Sequence, residues 1–575
     1  MEHQLTTYII SDTIISSLGF GTQENLEALR TYQSGVTVQQ DGRISDSPIL
    51  AATISQERLQ QQAALHKLET YSRLEQLFIL AIKEVLENSD TDLQDESCGL
   101  ILSTTKGNID LLGNRTENLN ESVFLWKMAE NISRYFHAEE RVQTISNACI
   151  SGVSALIVGK RMLESGRYKK VVVAGGDILS HFITSGFCSF KSVSANLCRP
   201  YDAERDGLNL GEACGAVVLS STGTNEDVIL SGGAISNDAN HISGPSRTGD
   251  GLYFAIRNAM QEAGTNANEI SFVNAHGTAT LYNDEMESKA LSLAHLETVP
   301  LHSLKPYFGH TLGASGIIES IVCLHELKSG MLFGTPGFEK QGVPMPVKVT
   351  ALHQALPMQH CVKTASGFGG CNAAIVLTLP SYAKEMPATL LPAVRITNTV
   401  SIEDSRITVN DSVIHQSTEQ DFGLFIREAY KKLDESNMKF FKMDDLCKLG
   451  YVATGYLLKE KMFLPEEIGI LLANASSSLH TDIKHQTLID RDGDEAASPA
   501  TFVYTLPNVV SGEICIHHKI QGENTFFIKK EQHPELLESY ARTVIAKNKL
   551  NYCIVGWCDL LGEHYNAEFK LIETL

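Results

Sequence analysis

One cysteine and two histidines stand in turns rich in small residues: Cys149 in "ISNACISGVSALIVG" (145–159), His276 in "NAHGTATLYNDEMES" (274–288) and His310 in "KPYFGHTLGASGIIE" (305–319). A thiol at the start of a helix faces unpaired, partly positive N–H groups, which can lower its pKa from ~8.5 to between ~3.5 and 7.5. The thiolate is then an acyl acceptor. The bland alternatives are a small buried hydrophobe for the cysteine and hydrogen-bonded core residues for the histidines. The three could also be imagined as metal ligands, but their spacings match no compact ligand motif, and no metal is expected.

These residues need elements to hold them. Short β-branched runs, "CGLILST" before residue 105, "KKVVVAGGD" (169–177), "EISFVNAHG" (269–277) and "AAIVLTL" (373–379), alternate with helical patterns. That alternation reads as α/β, with buried sheets between helices. The segments 71–90 and 151–166 carry the 3.6-residue period and end in turn residues, so both read as helices, the second starting just after Cys149. The stretch "LPSYAKEMPATLLPAV" (379–394) has three prolines and no period, and marks the main boundary.

With 575 residues, 20% charged and 43% hydrophobic, the chain has the composition of a soluble globular enzyme. A formal net charge of -21 argues against unaided binding to nucleic acid or anionic membrane, both polyanions. Twelve scattered cysteines without a CxxC pair fit neither a disulfide framework nor a zinc ribbon, and imply a reducing compartment. The N-terminus lacks a basic region ahead of its apolar stretch, and no apolar run approaches the ~20 residues of a membrane span, so a cytoplasmic location is expected. No glycine-rich phosphate loop opens a helix after a strand, and no nucleotide or flavin is implied.

Taken in order, the motifs around Cys149, His276, Lys305 with His310, and Phe368 ("SGFGGCN", 366–372), together with "RPYDAERDGLNLGEACGAVVL" (199–219), resemble those of the β-ketoacyl-acyl-carrier-protein synthases. These are condensing enzymes of the thiolase superfamily, and the resemblance covers roughly residues 1–382. It implies a thiolase-like fold, a duplicated layered α-β-α-β-α arrangement, with an N-terminal half over 1–220 and a C-terminal half over 221–382. It also implies an acyltransferase in which Cys149 holds the acyl chain. His276 and His310, as neutral imidazoles, donate hydrogen bonds to the malonyl thioester carbonyl and stabilise the enolate left by decarboxylation, an effect worth several kcal/mol for preorganised donors.

By the same resemblance, the backbone N–H groups of Cys149 and Phe368 form the oxyanion hole, and Phe368 on its glycine turn gates the acyl chain. Lys305 and Glu319 match a charged pair beside the second histidine, with electrostatic support and a structural salt bridge both open. Asp284 and Glu287 are read as structural. The family commonly has Phe-Gly ahead of the gate turn, where Ser366-Gly367 stands here, and this leaves acyl selectivity open. A thiolase reading would use Cys371 as a second acid/base cysteine, but thiolases lack the first histidine motif. A noncatalytic partner reading is met by the intact Cys149, His276 and His310.

After a linker at 383–392 the chain begins again. "EEIGILLANAS" (466–476) resembles "ESCGLILSTTK" (96–106), and "LNYCIVGWCD" (550–559) resembles "YKKVVVAGGD" (168–177), with "KMDDLCKLGYVATGYLLKE" as a comparable helix ahead of them. Residues 393–575 thus resemble a degenerate half-copy without the nucleophile, much like a truncated chain-length factor. Condensing enzymes of this family act as dimers joined along the copied half. A homodimer and a tail-mediated pseudo-heterodimer are both open, since the sixteen residues 379–394, at most ~55 Å when extended, reach the chain's own domain or a neighbour's. The combination resembles type II polyketide systems that make aryl polyene or flexirubin-like pigments, with ordinary fatty acid elongation as the alternative.

No segment resembles a carrier-protein phosphopantetheine site, since "EDSRI" (403–407) lacks the surrounding helix pattern. The acyl carrier protein is expected in trans, bringing malonyl and acyl thioesters, with its phosphopantetheine as part of the substrate and no separate cofactor. Carrier proteins of this kind are acidic, so Lys67 and Arg73, which match family positions ahead of the first long helix, are candidates for carrier docking, against the alternative of solvated charges.

Overall fold

The computed structural model describes residues 4–112, 119–433 and 436–575. Each half of residues 1–382 builds a five-stranded sheet of one pattern. In the first half β1 (Tyr8–Ser16), β2 (Cys98–Ser103), β3 (Val142–Ile145), β4 (Lys170–Asp177) and β5 (Ala213–Ser220) lie in the order β1-β5-β4-β2-β3. The first two pairings are antiparallel and the last two parallel. In the second half β6 (Ile229–Asn237), β7 (Ile270–Asn274), β8 (Pro300–His302), β9 (His360–Gly367) and β10 (Cys371–Thr378) repeat the pattern as β6-β10-β9-β7-β8.

Helices fill the layers. Helix α1 (Arg73–Glu87), opened by a Ser72/Glu75 capping box, covers the outer face of the first sheet. Helix α2 (Ser151–Glu164) runs between the sheets and is buried over all but its last residue, as a helix flanked on both sides must be. Helix α3 (His181–Ser189) follows β4. Helix α4 (Asp250–Glu262) covers the outer face of the second sheet, and α5 (Ser315–Ser329) joins α2 in the central layer. This is the thiolase-like layering, helix-sheet-helix-sheet-helix.

The tail forms a third unit of the same pattern. Strands β11 (Val394–Glu403), β12 (Ile468–Asn474), β13 (Asn524–Ile528), β14 (Tyr552–Leu561) and β15 (His564–Thr574) lie in the order β11-β15-β14-β12-β13. The pairings are again antiparallel twice and then parallel twice. Helices α6 (Asp445–Leu457), α7 (Leu479–Asp492), α8 (Val509–His518) and α9 (Pro534–Asn548) pack around it.

The tail docks on its own chain. Strand β13 pairs antiparallel with β3, Phe527 facing Ile145 and Ile528 facing Thr144, so that ten strands form one continuous sheet with mirrored order. A strand has two edges, and β3 now uses both, one on β2 and one on β13. A second copy of the chain cannot pair at that edge while the tail holds it. Behind the strands, Arg161 of α2 and Glu523 form an ion pair at 2.5 Å, with side-chain exposures of 1% and 0%. The Tyr540 hydroxyl of α9 accepts a further bond from Arg161 at 2.8 Å.

Candidate active site

Strand β3 leads directly into the nucleophile turn. Ala148 adopts a left-handed conformation with φ 49°, which turns the chain between strand and helix. Ser151 braces the turn: its Oγ accepts from the Asn147 N–H at 2.8 Å and donates to the Ala148 carbonyl at 2.6 Å. Gly152 then lets α2 touch the turn before α5, since a Cβ there would lie 2.8 Å from the Gly313 carbonyl oxygen and 2.9 Å from the Ile317 nitrogen. That close approach brings Cys149 to His310.

The Cys149 Sγ lies 3.2 Å from His310 Nε2. The His310 backbone N–H donates to the Asn209 carbonyl at 2.6 Å, and its Nδ1 lies 3.2 Å from the Ser315 hydroxyl, which lies 3.0 Å from that of Thr311. A hydroxyl both donates and accepts, so Ser315 can satisfy either tautomer of His310. The His276 ring stands perpendicular to that of His310, with centroids 5.2 Å apart at 84°. Cys149, His276, His310 and Phe368 all line one cavity of about 390 Å³, with Thr278, Thr280 and Tyr282 also in its wall.

Electrostatics here follow burial. Loss of water around the Cys149 thiol pushes it up to about 12, and the ammonium of Lys305, which favours the thiolate, offsets only part of that rise. Burial therefore opposes the lowering that a helix start favours, because taking a charge out of water disfavours the thiolate. Burial, with Lys305 nearby, pushes His276 and His310 well below the ordinary imidazole range. The resting site is thus a neutral thiol beside a neutral imidazole.

Beneath it lies a triad of buried charges. Glu319 accepts from Lys305 at 2.5 Å and meets Lys363 at 2.5 Å, with all three side chains at most 1% exposed. Sequence reasoning misses Lys363, although a lysine inside the apolar strand "HCVKTASG" is a visible signal. Glu287 is part of the scaffold: it accepts from the backbone N–H groups of His276 and Gly277, each at 2.9 Å, and from the Tyr201 hydroxyl at 2.6 Å. Asp284 accepts the Tyr201 backbone N–H at 2.8 Å.

Phe368 is half-buried on a turn continued by Gly369 at φ 89° and Gly370 at φ 71°, conformations that favour glycine. Its ring stacks on Phe187 and lies 5.3 Å from Phe190. A Cβ at Gly367 would stand 3.0 Å from the Cys149 nitrogen, so the turn packs directly on the nucleophile. Cys371 sits beneath it, buried, with its thiol 3.3 Å from the Phe368 carbonyl oxygen. The tail supports the same turn: Asn508 donates to the Phe368 carbonyl at 2.8 Å, and α8 passes so close that a Cβ at Gly512 would lie 2.6 Å from the Gly369 oxygen.

The two docking candidates separate. Lys67 is exposed, at the left-handed end of a helix. Arg73 is turned inward, its guanidinium donating to both oxygens of Glu212 at 2.6 and 2.8 Å. Its charge is already neutralised by a buried carboxylate, which removes it as a carrier-docking residue.

Two family models match, "Beta-ketoacyl synthase, N-terminal domain" over residues 19–224 and "Beta-ketoacyl synthase, C-terminal domain" over residues 228–339. The chain is 26% identical over 398 residues to a 3-oxoacyl-[acyl-carrier-protein] synthase 2 of Vibrio cholerae, covering 63% of this chain and 96% of that protein. It is 27% identical over 353 residues to the tetracenomycin polyketide synthase ketoacyl synthase alpha subunit of Streptomyces glaucescens, covering 55% and 83%. Among solved structures, a chain of a ketosynthase in complex with its chain length factor from Xenorhabdus doucetiae superposes with a TM-score of 0.58 at 25% identity, covering 65% of this chain and 98% of that one. A keto synthase-chain length factor structure superposes over 99% of this chain and 78% of its own, with a TM-score of 0.79 at 14% identity. The last likeness concerns the fold.

Proposed function

This chain belongs to the β-ketoacyl synthase family of condensing acyltransferases, and from that premise we propose that it extends an acyl chain held on Cys149 with a malonyl unit carried by an acyl carrier protein. The observation that carries this reading is the 3.2 Å contact between Cys149 Sγ and His310 Nε2, with His276 in the same cavity.

In the first half-reaction His310 Nε2 takes the thiol proton as Cys149 attacks the acyl thioester, and that proton leaves on the carrier's thiol. The backbone N–H groups of Cys149 and Phe368 hold the oxyanion. In the second, the malonyl carboxylate leaves as carbon dioxide and its electron pair forms an enolate, held by hydrogen bonds from His276 and His310. The α-carbon attacks the acyl carbonyl, Cys149 departs as a thiolate, and one proton restores the thiol. Burial keeps both imidazoles neutral, which suits donation rather than permanent charge. The Lys305–Glu319–Lys363 triad fixes the field beneath them. No cofactor beyond the carrier's phosphopantetheine takes part.

The tail, 393–575, serves as a built-in chain-length-factor-like partner, supported by its pairing at β3 and its hold on the Phe368 turn. A polyketide role of the aryl polyene or flexirubin-like kind, in the cytoplasm, agrees with the likeness to ketosynthase and chain length factor pairs. Plain fatty acid elongation is the second reading, favoured by the coverage of the Vibrio cholerae relative.

The test is intact-mass spectrometry of acyl- and malonyl-loaded carrier proteins mixed with the enzyme or its Cys149→Ser variant. A β-ketoacyl carrier two carbons longer, made only by the cysteine enzyme, is expected. No extension with any starter by a folded enzyme would refute the condensing assignment.

A further inference from the structure

Three groups of metal-ligating type meet inside the second half, away from the walls of the catalytic cavity. His302 ends β8, and Cys323 and Glu326 stand three residues apart on one face of α5. All three residues are 0% exposed, and one atom from each, a nitrogen, a sulfur and a carboxylate oxygen, lies within 4.8 Å of the other two. Glu326 Oε1 is held by the Phe333 N–H at 2.8 Å, but Oε2 has no hydrogen-bond partner among the described residues. That oxygen stands 3.4 Å from His302 Nε2. The Asn274 amide nitrogen lies 3.0 Å from the same Nε2 and donates to it, which leaves no proton there for Glu326. Two acceptors thus face each other in the core, and a proton or a cation must stand between them.

The ligand set selects among cations. Thiolate, imidazole and carboxylate together suit zinc, and two ligands ~2.0–2.1 Å from a tetrahedral zinc stand ~3.4 Å apart, the separation found here. Sulfur–nitrogen and sulfur–oxygen pairs around zinc stand ~3.6 Å apart, so from at most 4.8 Å the thiol needs to close by about 1.2 Å or less. The charges of Cys323 as thiolate and Glu326 as carboxylate cancel that of zinc, and any protons they carried leave to solvent. Turning the Asn274 amide over frees Nε2 and offers Oδ1, which is buried and without a partner among the described residues, as a fourth ligand. We propose that His302, Cys323 and Glu326 bind a structural zinc ion that pins β8 to α5. The clamp lies behind the catalytic groups: the chain leaves β8 into Lys305, and α5 carries Ser315 and Glu319.

The experiment grows the untagged full chain in zinc-supplemented medium, dialyses it against EDTA to strip surface metal, and counts zinc by inductively coupled plasma mass spectrometry. About one zinc per chain is expected, falling at least about 10-fold in Cys323→Ala and in Glu326→Gln, each of which removes a ligand. Protein grown with cobalt in place of zinc should show a thiolate-to-cobalt charge-transfer band that Cys323→Ala abolishes. Glu326→Gln keeps the side chain's shape and carries the comparison if Cys323→Ala does not fold, and the cobalt spectrum of the wild type carries it if neither does. Zinc below about 0.1 per chain in the wild type, a cobalt-grown protein without the thiolate band, or folded variants that retain the wild-type zinc content would overturn the proposal and leave a shared proton between Glu326 and His302. Condensing activity enters none of these readouts, so the outcome is independent of the function proposed above.

Discussion

Glu523→Gln removes one charge from the ion pair that fastens the tail to the catalytic half. Arg161 and Glu523 are 2.5 Å apart and almost wholly buried, and the Asn548 amide donates to the other Glu523 oxygen at 2.8 Å. Burial opposes the Arg161 charge and the Glu523 carboxylate more than restores it, raising the guanidinium well above its ordinary value. Glutamine keeps the shape but takes away the carboxylate paired with that guanidinium, leaving only the weaker field of Glu262 to favour its charge. Stranding a buried charge costs about 3–5 kcal/mol, against about 0–1 kcal/mol for a surface pair. If the whole loss falls on docking, it weakens tail binding by roughly two to three and a half decades. Urea unfolding and limited proteolysis of the 383–392 segment would measure it. Arg161→Met with Glu523→Leu should recover most of the loss, because neither charge is then stranded. A loss below about 1 kcal/mol for Glu523→Gln, or a double variant as unstable as the single one, would refute the reasoning.

Three further outcomes follow. Because burial pushes the thiol up to about 12, less thiolate exists at any pH than for a free cysteine; alkylation of Cys149 by iodoacetamide should climb steadily through about pH 9, above the free-thiol value, and a plateau near neutrality would contradict the assignment. Because burial lowers His310, its neutral, proton-accepting form persists on acidification, so the acid limb of the acylation rate should lie below the ordinary imidazole value of about 6.5. Gly512→Ala would drive a methyl against the Gly369 backbone; it should destabilise by about 1–3 kcal/mol and slow condensation by up to about 100-fold through displacement of the Phe368 turn, and unchanged kinetics would separate the tail from that turn.

The local features were legible. Cys149 ahead of a helix, the two histidine turns and the glycine turn at Phe368 are contiguous strings, and the chain's neighbours decide how such strings bend. The repeated strands of the tail were legible for the same reason, as the period of apolar residues survives loss of the nucleophile. What the sequence alone left open depends on residues far apart along the chain. Arg73 looked like a surface charge until the fold set Glu212 against it. Lys106 and Asp482, separated by 376 positions, meet only because the tail docks on its own domain. The Cys149 thiol shows the division most plainly: its helix start is written locally, while its burial, which disfavours the thiolate, is decided by packing of the whole molecule.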